Sequence, residues 1–308
     1  MAVIDTGLLT KGVRSEFFSR LQTAPSFWER LVTRIQSTTA TEQYRWLGQV
    51  PQMREWGTGR MAKGLHSESY DVTNKKFEAT IEVDRDELAD DQTGQIRVRV
   101  QELADAVVSH KDYLVSQLLI NGATSGYNSY DGVTFWNAAH VFGDSGNQDN
   151  DLTTAIVAKD APTTAEFKAA FAYMSSEMMK FLDDQARPLN TQASGLVCVV
   201  PAKMYWTALE AMRAGVISST DNVMKGAADV IPCPYLDATA TDTWYLLKVD
   251  KALRPLIFQD REALEFGELT GSSDEGFMRE KYYYGVRARY EITYGQWAYA
   301  VRMVFTTA

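Results

Sequence analysis

Apolar residues recur at Ile96, Val100, Leu103, Val107, Leu114 and Leu118, in steps of three, four or seven, which is helical periodicity. Ala104, Val108, Val115 and Leu119 widen that stripe into a face broad enough to bury. The pattern predicts one long amphipathic helix between about Asp90 and Asn121. Asp84, Asp86, Glu87, Asp90 and Asp91 are expected near its positive end, and Gly122 is its stop signal. Such a helix would reach roughly 35–45 Å, so it needs a broad sheet or several partner elements beside it.

The flanking segments have other rhythms. In residues 1–40 helical spacing over Phe17 and Leu21, and again over Phe27, Leu31 and Ile35, is broken at Ala24-Pro25. Two pieces this short must lean on something, either a neighbouring molecule or the same chain. Between 41 and 85, Tyr70 and Val72, then Phe77, Ala79, Ile81 and Val83, alternate as strands do. With Trp46, Trp56 and many glycines around them, they predict a long two-stranded excursion with too little core to fold alone. Residues 124–151, dense in Gly, Asn, Ser and Asp, read as a long loop or irregular hairpin, and loops of this length usually have a job or a partner. Thr163–Leu182 reads as a capped helix, Leu196–Val200 as a buried strand, Ala202–Ala214 as a helix and Trp244–Val249 as a second buried strand. Together these form an α/β lobe. From Leu253 the chain turns to extended segments, ending in a near-continuous β signal over 281–305.

Composition narrows the function. The chain has 308 residues, 45% hydrophobic and 23% charged, as an ordinary globular protein does. A net charge of −9 argues against a protein that neutralises phosphates, though not against one that merely encloses nucleic acid. Cys198 and Cys233, in apolar or proline-flanked settings, are expected as two buried thiols rather than a disulfide framework. No apolar run is long enough to span a membrane, and the N-terminus lacks a basic-then-apolar leader, leaving the cytoplasm as the default compartment.

Catalytic motifs fall short of their contexts. Gly57-Thr-Gly-Arg-Met-Ala62 satisfies a loose dinucleotide pattern but lies between neither a buried strand nor a helix start. His140 near Asp144 is the best metal or catalytic candidate, weighed against a polar-loop histidine. His110 is expected on the polar side of the long helix. Asp144, Asn147, Asp149 and Asp151 have calcium-loop composition without the loop glycine and terminal glutamate in place. No catalytic residue, metal or cofactor is assigned.

A different kind of signal rises above this background. Tyr44-Arg-Trp-Leu-Gly-Gln-Val-Pro-Gln-Met-Arg-Glu-Trp56 is followed by Gly59-Arg60, Asn74-Lys-Lys-Phe-Glu-Ala-Thr-Ile81, Val83-Asp-Arg-Asp86, Asp90-Asp91 and Gly94. After the long helix come Tyr130-Asp-Gly-Val-Thr-Phe135 and His140. In this order, over about residues 40–145, the chain resembles the Mu-like phage major head subunit family, the gpT-type capsid proteins. Tyr284-Gly-Val-Arg-Ala-Arg289 is compatible with it. Family members tend to carry phenylalanine pairs and an Asp-His-Pro where this chain has Phe135-Trp-Asn-Ala-Ala-His140-Val, and the 155–252 lobe has no motif match.

The resemblance implies an α+β subunit of the HK97-type capsid fold. Its parts would be an N-terminal arm (1–40), an extended β-ribbon loop (41–85), a peripheral domain with the spine helix (86–154) and an axial α/β domain (155–252). Return strands (253–308) complete it, of which the last can pair in the axial domain. It also implies a major head protein of a tailed phage or prophage, not an enzyme. Its partners would be copies of itself in hexamers and pentamers, a portal, and scaffold or decoration proteins where the shell uses them. The shell would enclose double-stranded DNA without sequence-specific binding, form in the host cytoplasm and become part of the virion, with no membrane partner. An encapsulin-like nanocompartment shell, or an enzyme built on the 155–252 lobe, are the alternatives. Interface expectations fall on Phe17, Phe27, Trp46, Arg54, Glu55, Trp56, Arg60, Tyr70, Arg85 and Asp86, aromatics that a thin chain leaves uncovered and charges that fix docking register. Lys63, Lys75 and Lys76 are solvated lysines or, as in some such shells, crosslink donors.

Overall fold

The computed structural model describes residues 6–47, 70–84, 86–87, 94–269 and 278–308. Among them, two main sheets share one continuous core with a long helix. An arm helix (Thr6–Thr23) leads into a short turn of helix (Trp28–Leu31) and β1 (Val32–Gln36). The second helix expected over Phe27–Ile35 is therefore one helical turn and then a strand. Val32, Thr33 and Ile35 are β-branched, and β1 pairs in parallel with β11 (Leu256–Leu269), Val32 opposite Leu256.

Next come β2 (Thr41–Tyr44), β3 (Tyr70–Thr73), β4 (Lys75–Asp84) and the spine helix (Gln95–Asn121). β2 and β3 pair with each other. β4, expected within the excursion, instead pairs along its whole length with β12 (Lys281–Tyr294). The resulting sheet has the order β1-β11-β12-β4. Its alternation is clean: Tyr282, Tyr284, Val286, Ala288 and Tyr290 are buried on the helix-covered face, whereas Arg287 points outward.

Against this buried face lies the spine, about 40 Å long for its 27 residues. Ile96, Val100, Leu103, Ala104, Val115 and Leu119 are its buried stripe. The helix starts behind Gly94, whose φ of 73° is left-handed, and its first turn carries no acidic residue; Asp90 and Asp91, expected at this end, lie outside the described residues. Its other end is closed by a tryptophan. Trp136 Nε1 donates to the Leu119 carbonyl at 2.8 Å, and Trp136 N donates to Gly122 O at 3.0 Å, occupying acceptors that a helix end leaves free.

The lobe sheet has the order β5-β13-β10-β6-β9, with β5 Asp151–Ile156, β6 Leu196–Val200, β9 Ala228–Pro232, β10 Thr243–Lys248 and β13 Ala300–Thr307. The small hairpin β7–β8 (Val216–Ile217, Thr220–Asp221) lies between β6 and β9 in sequence. Every residue of β6 and β10 is buried, which is why both read as unbroken apolar runs. Two helices, Thr164–Lys180 and Tyr205–Arg213, cover one face. The first opens with a capping box between Thr163 and Glu166. The other face is covered by the 122–150 segment, expected as a loop in search of a partner. It finds one in its own chain: Phe135 stacks on Tyr294 at 4.2 Å between ring centroids, and Trp136 on Tyr245 at 5.3 Å.

Trp136 leaves no room at Gly122, where a Cβ would lie 2.6 Å from the indole. Gly122→Ala should therefore cost about 1–3 kcal/mol, as overpacking does, and thermal unfolding of the variant would read it as a lowered midpoint.

Candidate assembly interface

The arm is fastened along the spine before it can meet a neighbour. Arg20 grips Asp105 with two parallel bonds of 2.7 and 2.8 Å, and Arg97 Nη2 lies 3.0 Å from Glu16. Beneath these, Phe17 is fully enclosed (0% exposed) among Val83, Val100, Leu103, Tyr282 and Tyr284. This corrects the expectation that Phe17 finds cover on sister copies: the spine and β12 already supply it. Phe27 is half-buried. Its backbone N–H and that of Trp28 both donate to Asp112 Oδ1, at 3.1 and 2.9 Å, so the end of the arm is tied down as well.

The root of the β2–β3 pair sits on the sheet face opposite the spine. Tyr44, Leu47 and Val72 pack there on Ile257. Tyr70 is half-buried, its hydroxyl 2.6 Å from Thr293 Oγ1. Trp46 lies edge-on to Tyr44 and keeps 41% of its surface exposed. Glu42 is used within the chain. Its Oε1 accepts from Thr38 N, Thr39 N and the Ser37 hydroxyl at 2.8, 3.0 and 2.9 Å. Those bonds, led by the Thr39 and Thr38 amides, hold its carboxyl down at about 2. Arg45 reaches Gln43, at 3.0 Å. Asp86 is exposed, its N–H turned to Asp84 Oδ1 at 2.9 Å. Arg54, Glu55, Trp56, Arg60, Lys63 and Arg85 lie outside the described residues. Lys75 pairs with Glu291 at 2.9 Å, and Lys76 is exposed.

Neither His140 nor His110 stands where the sequence suggested. His140 is fully buried, stacked on Trp297 at 4.2 Å, with Nδ1 2.6 Å from Asp131 Oδ2 and Nε2 3.2 Å from Phe135 O. It closes the covering segment over the link between β12 and β13 rather than facing Asp144. His110 packs on Phe77, with its Nδ1 2.8 Å from the Tyr290 hydroxyl, and burial followed by the Lys111 charge lowers its pKa. Among the described residues no group of His, Cys, Asp or Glu could hold a metal ion. Cys198 and Cys233 are free and buried, and burial pushes both thiols up.

One uncovered group escaped sequence reading. On the lobe, Trp206 is 74% exposed, and Val157, Val216 and Val223 are exposed too. The signal was available for Trp206: it falls off the Met204, Ala208, Ala211 and Met212 stripe on which its helix is buried.

This arrangement has close parallels. A profile of the Mu-like prophage major head subunit gpT family matches residues 7–163 and 237–307. The Mu-like prophage FluMu major head subunit of Haemophilus influenzae is 24% identical over 296 residues, covering 94% of this chain and 71% of the relative. The major capsid protein of Escherichia phage Mu is 24% identical over 289 residues, covering 94% and 70%. Among solved structures, the bacteriophage JBD30 procapsid chain superposes with a TM-score of 0.61 at 25% identity, over all of this chain and 77% of that one.

Two outcomes separate core from surface here. Phe17→Ala should cost the subunit about 3–5 kcal/mol, whereas Trp46→Ala should stay within about 0.5 kcal/mol, both read by chemical unfolding. Glu42 has a depressed folded pKa, so its contribution is present above the usual carboxylate range and lost as pH falls toward 2. Glu42→Gln should therefore flatten the fall of the unfolding midpoint between about pH 5 and pH 2.

Proposed function

The chain belongs to the Mu-like prophage major head subunit gpT family and is the major capsid protein of a phage or prophage, and from that premise we propose how it builds its shell. Copies join as hexamers and pentamers into an icosahedral container for double-stranded DNA, formed in the host cytoplasm around a portal, with scaffold or decoration proteins where needed. What carries the reading is the family profile spanning both the spine and the closing strands, on a chain whose whole length superposes on a procapsid subunit. The chemistry is that of contacts, and no reaction is assigned to it. A nanocompartment shell or a lobe enzyme is not favoured, since both curated relatives are phage head proteins.

The contacts we propose are those left open by the subunit's own packing. Trp46, exposed beside Tyr44, and the half-buried Tyr70 of the strand pair are two of them, and Asp86 adds a charge beside β4. Phe27, half-covered, lies at the arm's end. Arg54, Glu55, Trp56, Arg60 and Arg85 stay proposed contacts on the strength of the sequence alone. Phe17, enclosed in the subunit's own core, is not among them. Apolar cover at about 25 cal/mol per Å², repeated at every copy of an interface of about 2,000 Å², makes a stable shell from modest contacts. The net charge of −9 keeps the wall from gripping phosphates, so the genome is enclosed rather than bound.

Electron microscopy of the purified full chain tests this. Closed particles of uniform size are expected, and Trp46→Ser should reduce their yield while the subunit still folds. A monodisperse monomer at high concentration, with Trp46 shielded from solvent quenchers, would overturn the proposal.

A further inference from the structure

The face of the sheet that carries the strand-pair root holds a buried polar cluster as well as apolar contacts. At its centre is Gln259 of β11, fully enclosed. Its Oε1 accepts from the Tyr44 hydroxyl at 2.7 Å. Its Nε2 donates to Val72 O at 3.2 Å and to Asn74 Oδ1 at 2.9 Å. Asn74 Nδ2 passes the chain on to Ser37 Oγ and Thr39 O, at 2.9 and 3.0 Å, and Ser37 Oγ donates to Glu42 at 2.9 Å. One amide thus connects β11 to β2, to β3 and, through Asn74, to the turn after β1.

The two kinds of contact at this root do different things. The Tyr44, Leu47, Val72 and Ile257 patch is apolar, and apolar burial is non-directional: a tilted strand pair would bury nearly as much. A satisfied hydrogen-bond cluster in a dry site has one good geometry, and any tilt leaves a buried donor or acceptor unpaired. Replacing such a cluster wholesale by apolar groups can be nearly neutral in stability, so its specific consequence is orientation. We propose that Gln259 is a positioning residue for shell assembly. Through Tyr44, Val72 and Asn74 it fixes the angle at which the β2–β3 pair leaves the sheet, and so where Trp46 is presented to a second copy. This rests on the interface reading above.

The test uses the full chain with Gln259→Leu, the milder Tyr44→Phe, and Val199→Ala in the lobe core as a stability-matched control. Spin labels on cysteines placed at Gln43 and Glu265, both exposed, report the angle in unassembled subunits, and microscopy reports closure. Cys198 and Cys233 are buried and should not take label. At a matched loss of unfolding midpoint, Val199→Ala should keep one narrow distance and closed particles. Gln259→Leu should broaden the distance distribution and yield open or irregular particles, with Tyr44→Phe between the two. A narrow distance and closed particles in Gln259→Leu would overturn the proposal. Should Gln259→Leu fail to fold, Tyr44→Phe, which removes a single bond, decides on the same readouts. Absence of particles from the unsubstituted chain would sink the shell reading instead, while the distance measurement still decides whether Gln259 sets the angle.

Discussion

The structure turns on one indole. Trp136 donates to the last turn of the spine, lies over Gly122 and stacks on Tyr245 of the lobe sheet. Its neighbour Phe135 stacks on Tyr294, the final residue of β12. Two adjacent aromatics therefore join the spine, the four-stranded sheet and the lobe sheet into one core. Close by, two of the links between the sheets, 249–255 and 295–299, touch each other. Gly295 N donates to Pro255 O at 2.7 Å, and a Cβ on Gly295 would stand 2.5 Å from Arg254 O.

A core of this kind leaves definite surfaces for other molecules. The inner face of the four-stranded sheet is consumed by the spine and arm. The outer face is divided. Near the lobe it holds the β2–β3 root on Ile257 and Gln259, and farther out it carries a charged ladder in which Arg287 and Arg289 reach Glu262 at 2.9 and 2.7 Å. Exposed pairs such as these contribute little to stability, and they define the register of a face more than its strength. The arm is not a free appendage over its described length, since its aromatic residue Phe17 is part of the core. Among the described residues, Trp46 and, on the lobe, Trp206 are tryptophans that the isolated subunit leaves exposed.

Much of this was readable one element at a time. The spine showed in its stripe from Ile96 to Leu118, because a buried helix face repeats at short range along the chain. Leu196–Val200 and Trp244–Val249 showed as unbroken apolar runs, because strands covered on both faces have no polar side. The rare-residue blocks between Tyr44 and His140 pointed to the family. What failed was any reading that needed a partner. Val32–Ile35 looked helical by spacing, yet β11 captured it as a strand. Lys75–Asp84 looked like half of an excursion and became the edge of the main sheet. His140 looked solvated among glycines and acids, and closed instead on Asp131 and Trp297.

By itself, then, the sequence determined the periodicities, the elements they generate and the kinship that names the assembly, all properties carried by residues close together along the chain. Only the tertiary structure decided which aromatic is core and which is surface, which carboxylate is spent inside the subunit, and which face the β2–β3 pair stands on. Those outcomes depend on contacts between residues as far apart as Tyr44 and Gln259 or Phe17 and Phe266. The free energy of such a contact belongs to the pair, and neither member's local pattern contains it.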